Sequence, residues 1–428
     1  MSAPFNFGQL KFLKALTEAL FHGAPMVISA DQVVANITEL FAKVGGTKLD
    51  EIRLSLTATE LVLGPLFAAV DVETRAHRIR NRLQNSQIDL FQDMARLRGI
   101  VYACYYGHWQ PGVEAGDQQA NAANPVHQQI GFTLPKFRVR GPADMAITRV
   151  EGREIDPAHI LDADTLGDEY DVVVVGSGAG GAVAAHNVAA RGYRVLIVEA
   201  GPFYPSPRIT HHELDMVAQL YKHGALQTST NRDFIVFQGR CVGGSSTINN
   251  GICLRVNEAG RTHPDAVDVL ARWASIGAPI DADAFHASYD AIRDRLHIGT
   301  IEARAGRHNG PHLINGWHAY AAGSSDPKEQ RAVADWFAKN FGPPHTPAAC
   351  AYCGYCNSGC AYGRRLGMAQ TYLPDACRDH GARILPETKV DRIVWQTSID
   401  GRREAEGVKL ILPDGSRRTV RARVGVVV

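Results

Sequence analysis

Val172–Val175 is an unbroken run of valines that leads directly into Gly176-Ser177-Gly178-Ala179-Gly180-Gly181. A stretch so uniformly apolar and β-branched has to be covered on both faces, as a strand is in a parallel sheet between helices. The glycines at 176, 178 and 181 follow G-x-G-x-x-G spacing, and each position has its own physical reason. Gly176 permits a tight turn out of the strand. Gly178 lets the backbone approach a diphosphate where a Cβ would intrude. Gly181 lets the next helix, expected over 181–191, lie close on the strand. Such a helix aims the positive end of its dipole and its first-turn N–H groups at phosphate oxygens. Gly192 turns the chain into a second strand, expected at 194–198, and Glu199 stands at its end, 23 residues past Gly176. A carboxylate there can accept from ribose hydroxyls and disfavours a 2′-phosphate. Residues 171–199 therefore predict a dinucleotide site in an α/β domain.

The fingerprint alone does not distinguish one dinucleotide from another. A second unusual segment runs Gly239-Arg240-Cys241-Val242-Gly243-Gly244-Ser245-Ser246-Thr247-Ile248-Asn249-Asn250-Gly251. Paired glycines and small hydroxyls let backbone come near a planar ligand and its diphosphate.

In this order the two segments resemble the glucose–methanol–choline (GMC) family of FAD oxidoreductases. The resemblance continues through Gln370-Thr371-Tyr372-Leu373 and Val390-Asp391-Arg392-Ile393. It covers about 169–428, more loosely over 262–346. It implies FAD on a glutathione-reductase-like, Rossmann-like domain, with hydride passing from a substrate alcohol to flavin N5. By matching position it implies that Gly176, Ser177, Gly178 and Gly181 face the pyrophosphate and Glu199 the adenosine ribose. Gly243, Gly244, Asn249 and Gly251 would lie near the pyrophosphate and isoalloxazine, and Val390 would meet adenine through its backbone. The family's catalytic histidine falls after Val428 in this numbering. None of the 17 histidines matches it, so no catalytic residue is expected within the chain.

Some 170 residues precede the fingerprint, and they read as helical. Leu10, Leu13, Leu16 and Leu20 form one apolar stripe; Val33, Ile37, Leu40, Phe41 and Val44 form another. Ser29-Ala30-Asp31-Gln32 has the form of a capping box, and a third helix is expected over 91–106. This leader is similar to that of the long-chain alcohol oxidase and dehydrogenase branch, notably at Asn124-Pro125-Val126-His127 and Ile130-Gly131-Phe132. The expected organisation is a helical N-terminal domain (1–160), the first part of an FAD-binding domain (168–261), an insertion facing the substrate (262–346), and a Cys-rich segment with the FAD-binding domain continued (347–428). Strands are expected at 388–396, 406–412 and 417–428. The last is apolar to its end with no turn after it, which reads as the front part of a longer protein.

Four of the eight cysteines crowd together as Cys350, Cys353, Cys356 and Cys360, a C-x2-C-x2-C-x3-C run with the spacing of an iron–sulfur ligand set. Structural or redox-inert thiols are the competing reading. A net charge of +1, from 45 basic and 44 acidic residues, offers nothing for nucleic acid. With no signal-peptide pattern, the expected location is the cytoplasm, with peripheral membrane contact as a variant. The function expected is FAD-dependent oxidation of a primary, apolar alcohol, with oxygen, a quinone or a cytochrome as electron acceptor. The alternatives are a sugar or polyol dehydrogenase with an iron–sulfur cluster, and a flavin-binding electron-transfer subunit.

Overall fold

The computed structural model describes residues 3–64, 66–84, 89–108, 124–132, 153–210, 212–229, 234–251, 253, 268–300, 315–316, 319–320, 322–328, 330, 344–345, 354–398 and 401–428. Contacts divide the chain into two units, Met1–Pro142 with Ala200–Cys241, and Ala143–Glu199 with Val242–Val428.

The first unit is helical: α1 (Phe7–Leu20), α2 (Ala30–Val44), α3 (Gly46–Leu63), α4 (Val72–Gln84), α5 (Asp89–Tyr106) and α6 (Pro125–Gln129). The stripes foreseen on α1 and α2 supply its core, where Phe12, Leu13, Leu16, Val33, Ile37 and Phe41 pack with Leu56, Phe67, Leu97 and Val101. Ser29 caps α2 by accepting from the Gln32 N–H at 3.1 Å. The reciprocal half of that box is not made, because the Gln32 amide turns to Asn36 Oδ1 at 3.2 Å. A complete capping box closes α1 instead, between Asn6 and Gln9.

Residues 200–241, placed by sequence beside the fingerprint, group with these helices. They carry α8 (Glu213–Leu220). Lys43 of α2 pairs with Asp215 at 2.8 Å, and His212 meets the Gly107 carbonyl at 3.1 Å. Arg240 N–H closes back on the Leu220 carbonyl at 2.7 Å.

The second unit is built on β1 (Glu169–Val175), α7 (Ala179–Ala189) and β2 (Val195–Val198). After α9 (Val269–Ser275) and α10 (Ala282–Arg295), a two-residue antiparallel pair joins β3 (Gly299–Thr300) to β4 (Pro344–His345). Then come α11 (Tyr372–Arg378), β5 (Arg383–Leu385), β6 (Lys389–Thr397), β7 (Arg403–Ile411) and β8 (Arg417–Val427). The main sheet has the order β5-β2-β1-β8-β7-β6. Its β5, β2, β1 and β8 are parallel neighbours, while β8, β7 and β6 form an antiparallel meander.

β8 serves both halves. Its first residues pair with β7 up to Arg421, and from Arg421 onward it runs beside β1. Val172, Val173 and Val174 of β1 are buried and Val175 partly so; Val173 packs in a core with Leu196, Val198, Leu385, Val408, Leu410 and Val420. Ala182, Ala185 and Ala189 give α7 a small buried face that can lie close on the sheet. Asp171, early in β1, accepts from the Arg194 N–H at 2.8 Å and from Arg423 Nε at 2.8 Å. No described helix is long and apolar enough to cross a membrane. The sequence also leads one to expect surface loops at 110–124 and 306–315; apart from Asn124 and Asn315, these lie outside the described residues.

Candidate functional site

At the end of β1 the chain turns at Gly176 with φ +91°, a conformation L side chains rarely adopt, and a Cβ added there would meet open space. Gly178 is the N-cap of α7 and brings no side chain to cap it. The first-turn N–H groups are thus left to external acceptors, the arrangement a diphosphate needs. Gly181 has the role foreseen for it. A Cβ there would lie 2.1 Å from the Gly176 carbonyl oxygen and 3.4 Å from Val174 Cγ1, so α7 sits on the turn only because that atom is missing.

The second glycine segment folds onto this turn. Gly243 (φ +92°) and Gly244 (φ +56°) lead into a 3-10 turn at Gly244–Thr247. A Cβ on Gly244 would come within 2.7 Å of Gly178 Cα. The two signatures, more than 60 residues apart in sequence, therefore touch backbone to backbone, and only a glycine at 244 permits it.

A buried relay ties them further. Ser177 donates its hydroxyl proton to Glu199 Oε2 at 2.7 Å, and its N–H donates to the same oxygen at 3.0 Å. The Ser177 oxygen in turn accepts from the Gly243 N–H at 3.0 Å. Glu199 leaves β2 at the carboxyl end of the sheet, where it also anchors the next strands. Its N–H donates to the Leu385 carbonyl at 2.9 Å, and its carbonyl accepts from the Thr388 N–H at 2.9 Å. Two residues later is Val390, partly buried and paired with Leu410. The structure thus gathers Gly176, Ser177, Gly178, Gly181, Glu199, Gly243 and Gly244 at one end of the parallel strands, where ligands of open α/β sheets bind.

Asn249 and Gly251 continue from the same segment. Asn249 Oδ1 accepts from the Gly251 N–H at 3.0 Å. Behind them lies a stretch that the sequence reading did not single out. Ser246 donates its hydroxyl to the Gly243 carbonyl at 2.7 Å and accepts from the Met368 N–H at 2.9 Å. A Cβ on Gly367 would sit 2.7 Å from the Ser246 carbonyl oxygen. Buried Arg365 donates to the carbonyls of Thr247, Asn249 and Cys356. The available signal was Gly-Arg-Arg-Leu-Gly at 363–367, which has no motif of its own.

Of the cysteine run, Cys350 and Cys353 lie outside the described residues. Cys356 and Cys360 are partly buried. Among the described residues no group of three or more His, Cys, Asp or Glu is placed to hold a metal ion.

The residues fit FAD: open space beside Gly176, an uncapped helix start at Gly178, and a carboxylate at the end of β2. Comparison with known proteins agrees. The profile of the GMC oxidoreductase family matches residues 217–428, and that of an FAD binding domain matches residues 171–206. A long-chain-alcohol oxidase of Arabidopsis thaliana is 26% identical over 244 residues, 56% of this chain and 30% of the relative. An uncharacterized GMC-type oxidoreductase of Mycobacterium tuberculosis is 30% identical over 278 residues, 63% of this chain and 38% of the relative. A cholesterol oxidase of the same species is 25% identical over 244 residues, 52% of this chain and 39% of the relative. The chain spans well under half the length of these relatives. With both flavin signatures in contact and both profiles matched in sequence order, this chain belongs to the GMC oxidoreductase family, which uses FAD, and resembles its long-chain-alcohol-oxidase branch.

Proposed function

We propose that this chain holds FAD in a glutathione-reductase-like cradle for the oxidation of a primary, apolar alcohol to its aldehyde. The observation that carries the reading is the close approach of Gly178 and Gly244 beside the Ser177–Glu199 relay. The alcohol is argued from the relatives named for long-chain alcohols. Bound FAD would supply the acceptor for the substrate's hydride. The chain's own residues bind and orient it: the first-turn N–H groups of α7 take phosphate oxygens, and Glu199 accepts from ribose hydroxyls. Ser177 keeps Glu199 aimed and tied to Gly243. Oxygen, a quinone or a cytochrome would reoxidise the flavin.

Titrating the chain with FAD by flavin fluorescence, then adding decanol anaerobically with a dye acceptor, tests the reading. Expected is stoichiometric binding by the chain, with dye reduction where the family's catalytic histidine is also supplied. A chain that takes no FAD overturns it. Binding without dye reduction even then favours a flavin-carrying subunit. Dye reduction with a sugar but not decanol, together with an iron–sulfur signal by electron paramagnetic resonance, favours the sugar dehydrogenase and assigns metal to the Cys350–Cys360 run.

A further inference from the structure

After α8 the helical unit carries a narrow two-armed ribbon. Its arms are bridged antiparallel at Tyr221–Gly239 and at Thr228–Ile235. Lys222 N–H donates to the Gln238 carbonyl at 2.8 Å, Val236 N–H to the Gln227 carbonyl at 2.7 Å, and Ser229 N–H to the Phe234 carbonyl at 2.9 Å. The base is held firmly: Leu226 packs on the helical core, and Arg96 of α5 donates to the Leu226 carbonyl.

The returning arm reads Phe234-Ile235-Val236-Phe237, and these residues are 69%, 61%, 38% and 64% exposed. Side chains alternate along an extended arm, so apolar groups stand open on both faces of the ribbon. At about 200 Å² for a phenylalanine and somewhat less for the aliphatic residues, they leave on the order of 400 Å² bare, the size at which an exposed patch marks an interaction site.

In an antiparallel ladder alternate residues turn N–H and C=O toward the partner, and the others turn them away. Phe234, Val236 and Gln238 bond to the first arm. Ile235 and Phe237 face outward, and neither makes a main-chain hydrogen bond to any described residue. Lipid is a poor match for such an edge, because hydrocarbon cannot satisfy bare amide groups. A strand can. Between Phe234 and Gln238 there is no charge and no proline, the residues that commonly guard an edge. The edge is also complementary to itself. About a two-fold axis at Val236, Ile235 of one copy lies opposite Phe237 of the other, as a pair that exchanges both N–H···O bonds. Such aromatic–β-branched pairs stabilise sheets, and the same register sets Val236 against Val236.

We propose that this edge is a self-association surface, through which two copies of the chain join their ribbons antiparallel at Ile235 and Phe237 into one four-stranded sheet. The surface lies within the helical unit and is independent of the flavin reading. The area covered, summed over both copies, falls at the small end of specific interfaces, so the dimer is one that dilution dissociates.

Sedimentation velocity of the chain over about 1–200 μM, a range that brackets weak complexes, tests this. A monomer–dimer equilibrium is expected. Ile235→Lys combined with Phe237→Lys sets like charges against each other across the two-fold and should weaken the dimer at least about tenfold. Ile235→Lys combined with Phe237→Glu sets opposite charges there and should restore association. Leu54→Lys, at another exposed leucine of the same unit, should change nothing. Far-ultraviolet circular dichroism checks each fold. Should a variant not fold, hydrogen exchange on the wild type decides: the Ile235 and Phe237 amides must slow as concentration rises. A wild type that stays monomeric overturns the proposal, as does a dimer that survives the double lysine change. Association without limit, or a monomer that sediments with phosphatidylcholine vesicles, overturns it equally.

Discussion

Gly178→Ala separates the cofactor role of the fingerprint from its structural role. Gly178 has φ −67° and ψ −170°, which alanine adopts without strain. The new Cβ would meet only Gly244 Cα, at 4.0 Å, an ordinary contact. Fewer unfolded conformations should then stabilise the apo chain by about 0.4–1 kcal/mol. Where a diphosphate must approach, the same methyl displaces it. Losing one amide–phosphate hydrogen bond costs about 1.5–3 kcal/mol, roughly 10- to 150-fold in affinity. Gly181→Ala is the contrasting change. Its Cβ would lie 2.1 Å from the Gly176 carbonyl oxygen and 3.0 Å from its carbon, both backbone atoms. Overpacking of that kind costs about 1–3 kcal/mol or more of apo stability. Urea unfolding of the apo chain and FAD titration measure the two effects separately. The reasoning fails if Gly178→Ala binds FAD like the wild type, or if it loses as much apo stability as Gly181→Ala.

Three further outcomes follow from buried polar groups. Ser177→Ala removes a hydroxyl that donates to Glu199 and accepts from Gly243, and should cost about 1.5–3 kcal/mol in urea unfolding; an unchanged midpoint would show the relay to be idle. The Arg194 N–H, followed by Arg423, holds the Asp171 carboxyl below its ordinary range. Its contribution is therefore complete above the unfolded value of about 3.9 and lost as pH falls through the lower folded value. Asp171→Asn should be less stable at neutral pH and flatter in acid, and a parallel pH profile would contradict this.

In the helical unit, burial holds His108, His127 and His212 below the usual imidazole range. His212 adds to the effect on His108, and both add to it on His127. Facing His212, the Gly107 carbonyl, Asp215 and Glu39 oppose the shift while Lys43 reinforces it. Neutral in the fold, the three contribute fully above the unfolded value of about 6.5, and stability drops as pH falls toward their folded values. Hydrogen exchange in α2 and α5 should accelerate between about pH 7.5 and about pH 5.5, after correction for intrinsic rates; equal protection at both would exclude the effect.

The elements that could be read from sequence are those whose signal is local. The valines of β1, the glycine spacing and the stripe on α1 each declare themselves within a few residues. Asn6-x-x-Gln9 was equally local, and its capping box could have been seen. Arg365 could not, because two of its acceptors are main-chain carbonyls 116 and 118 residues away, and a carbonyl has no letter in the sequence. The grouping of 200–241 with the helices was hidden for a related reason. It rests on contacts such as Leu214 and Leu226 against the helical core and Lys43 with Asp215, 172 residues apart, each of which alone reads as ordinary. From sequence Gly244 is expected to let backbone approach a ligand, yet what makes it irreplaceable is the backbone of Gly178, which only the folded chain brings near.

The position of β8 beside β1 has a consequence for biosynthesis. Arg423 reaches back 252 residues to Asp171. At about 5–20 residues per second, a ribosome takes roughly 13–50 s to cover that interval. During that time one edge of the most valine-rich strand has no native neighbour, and an open apolar edge invites pairing with other chains. Expression yield should therefore respond to chaperone supply and temperature more than the equilibrium stability of the finished sheet would suggest.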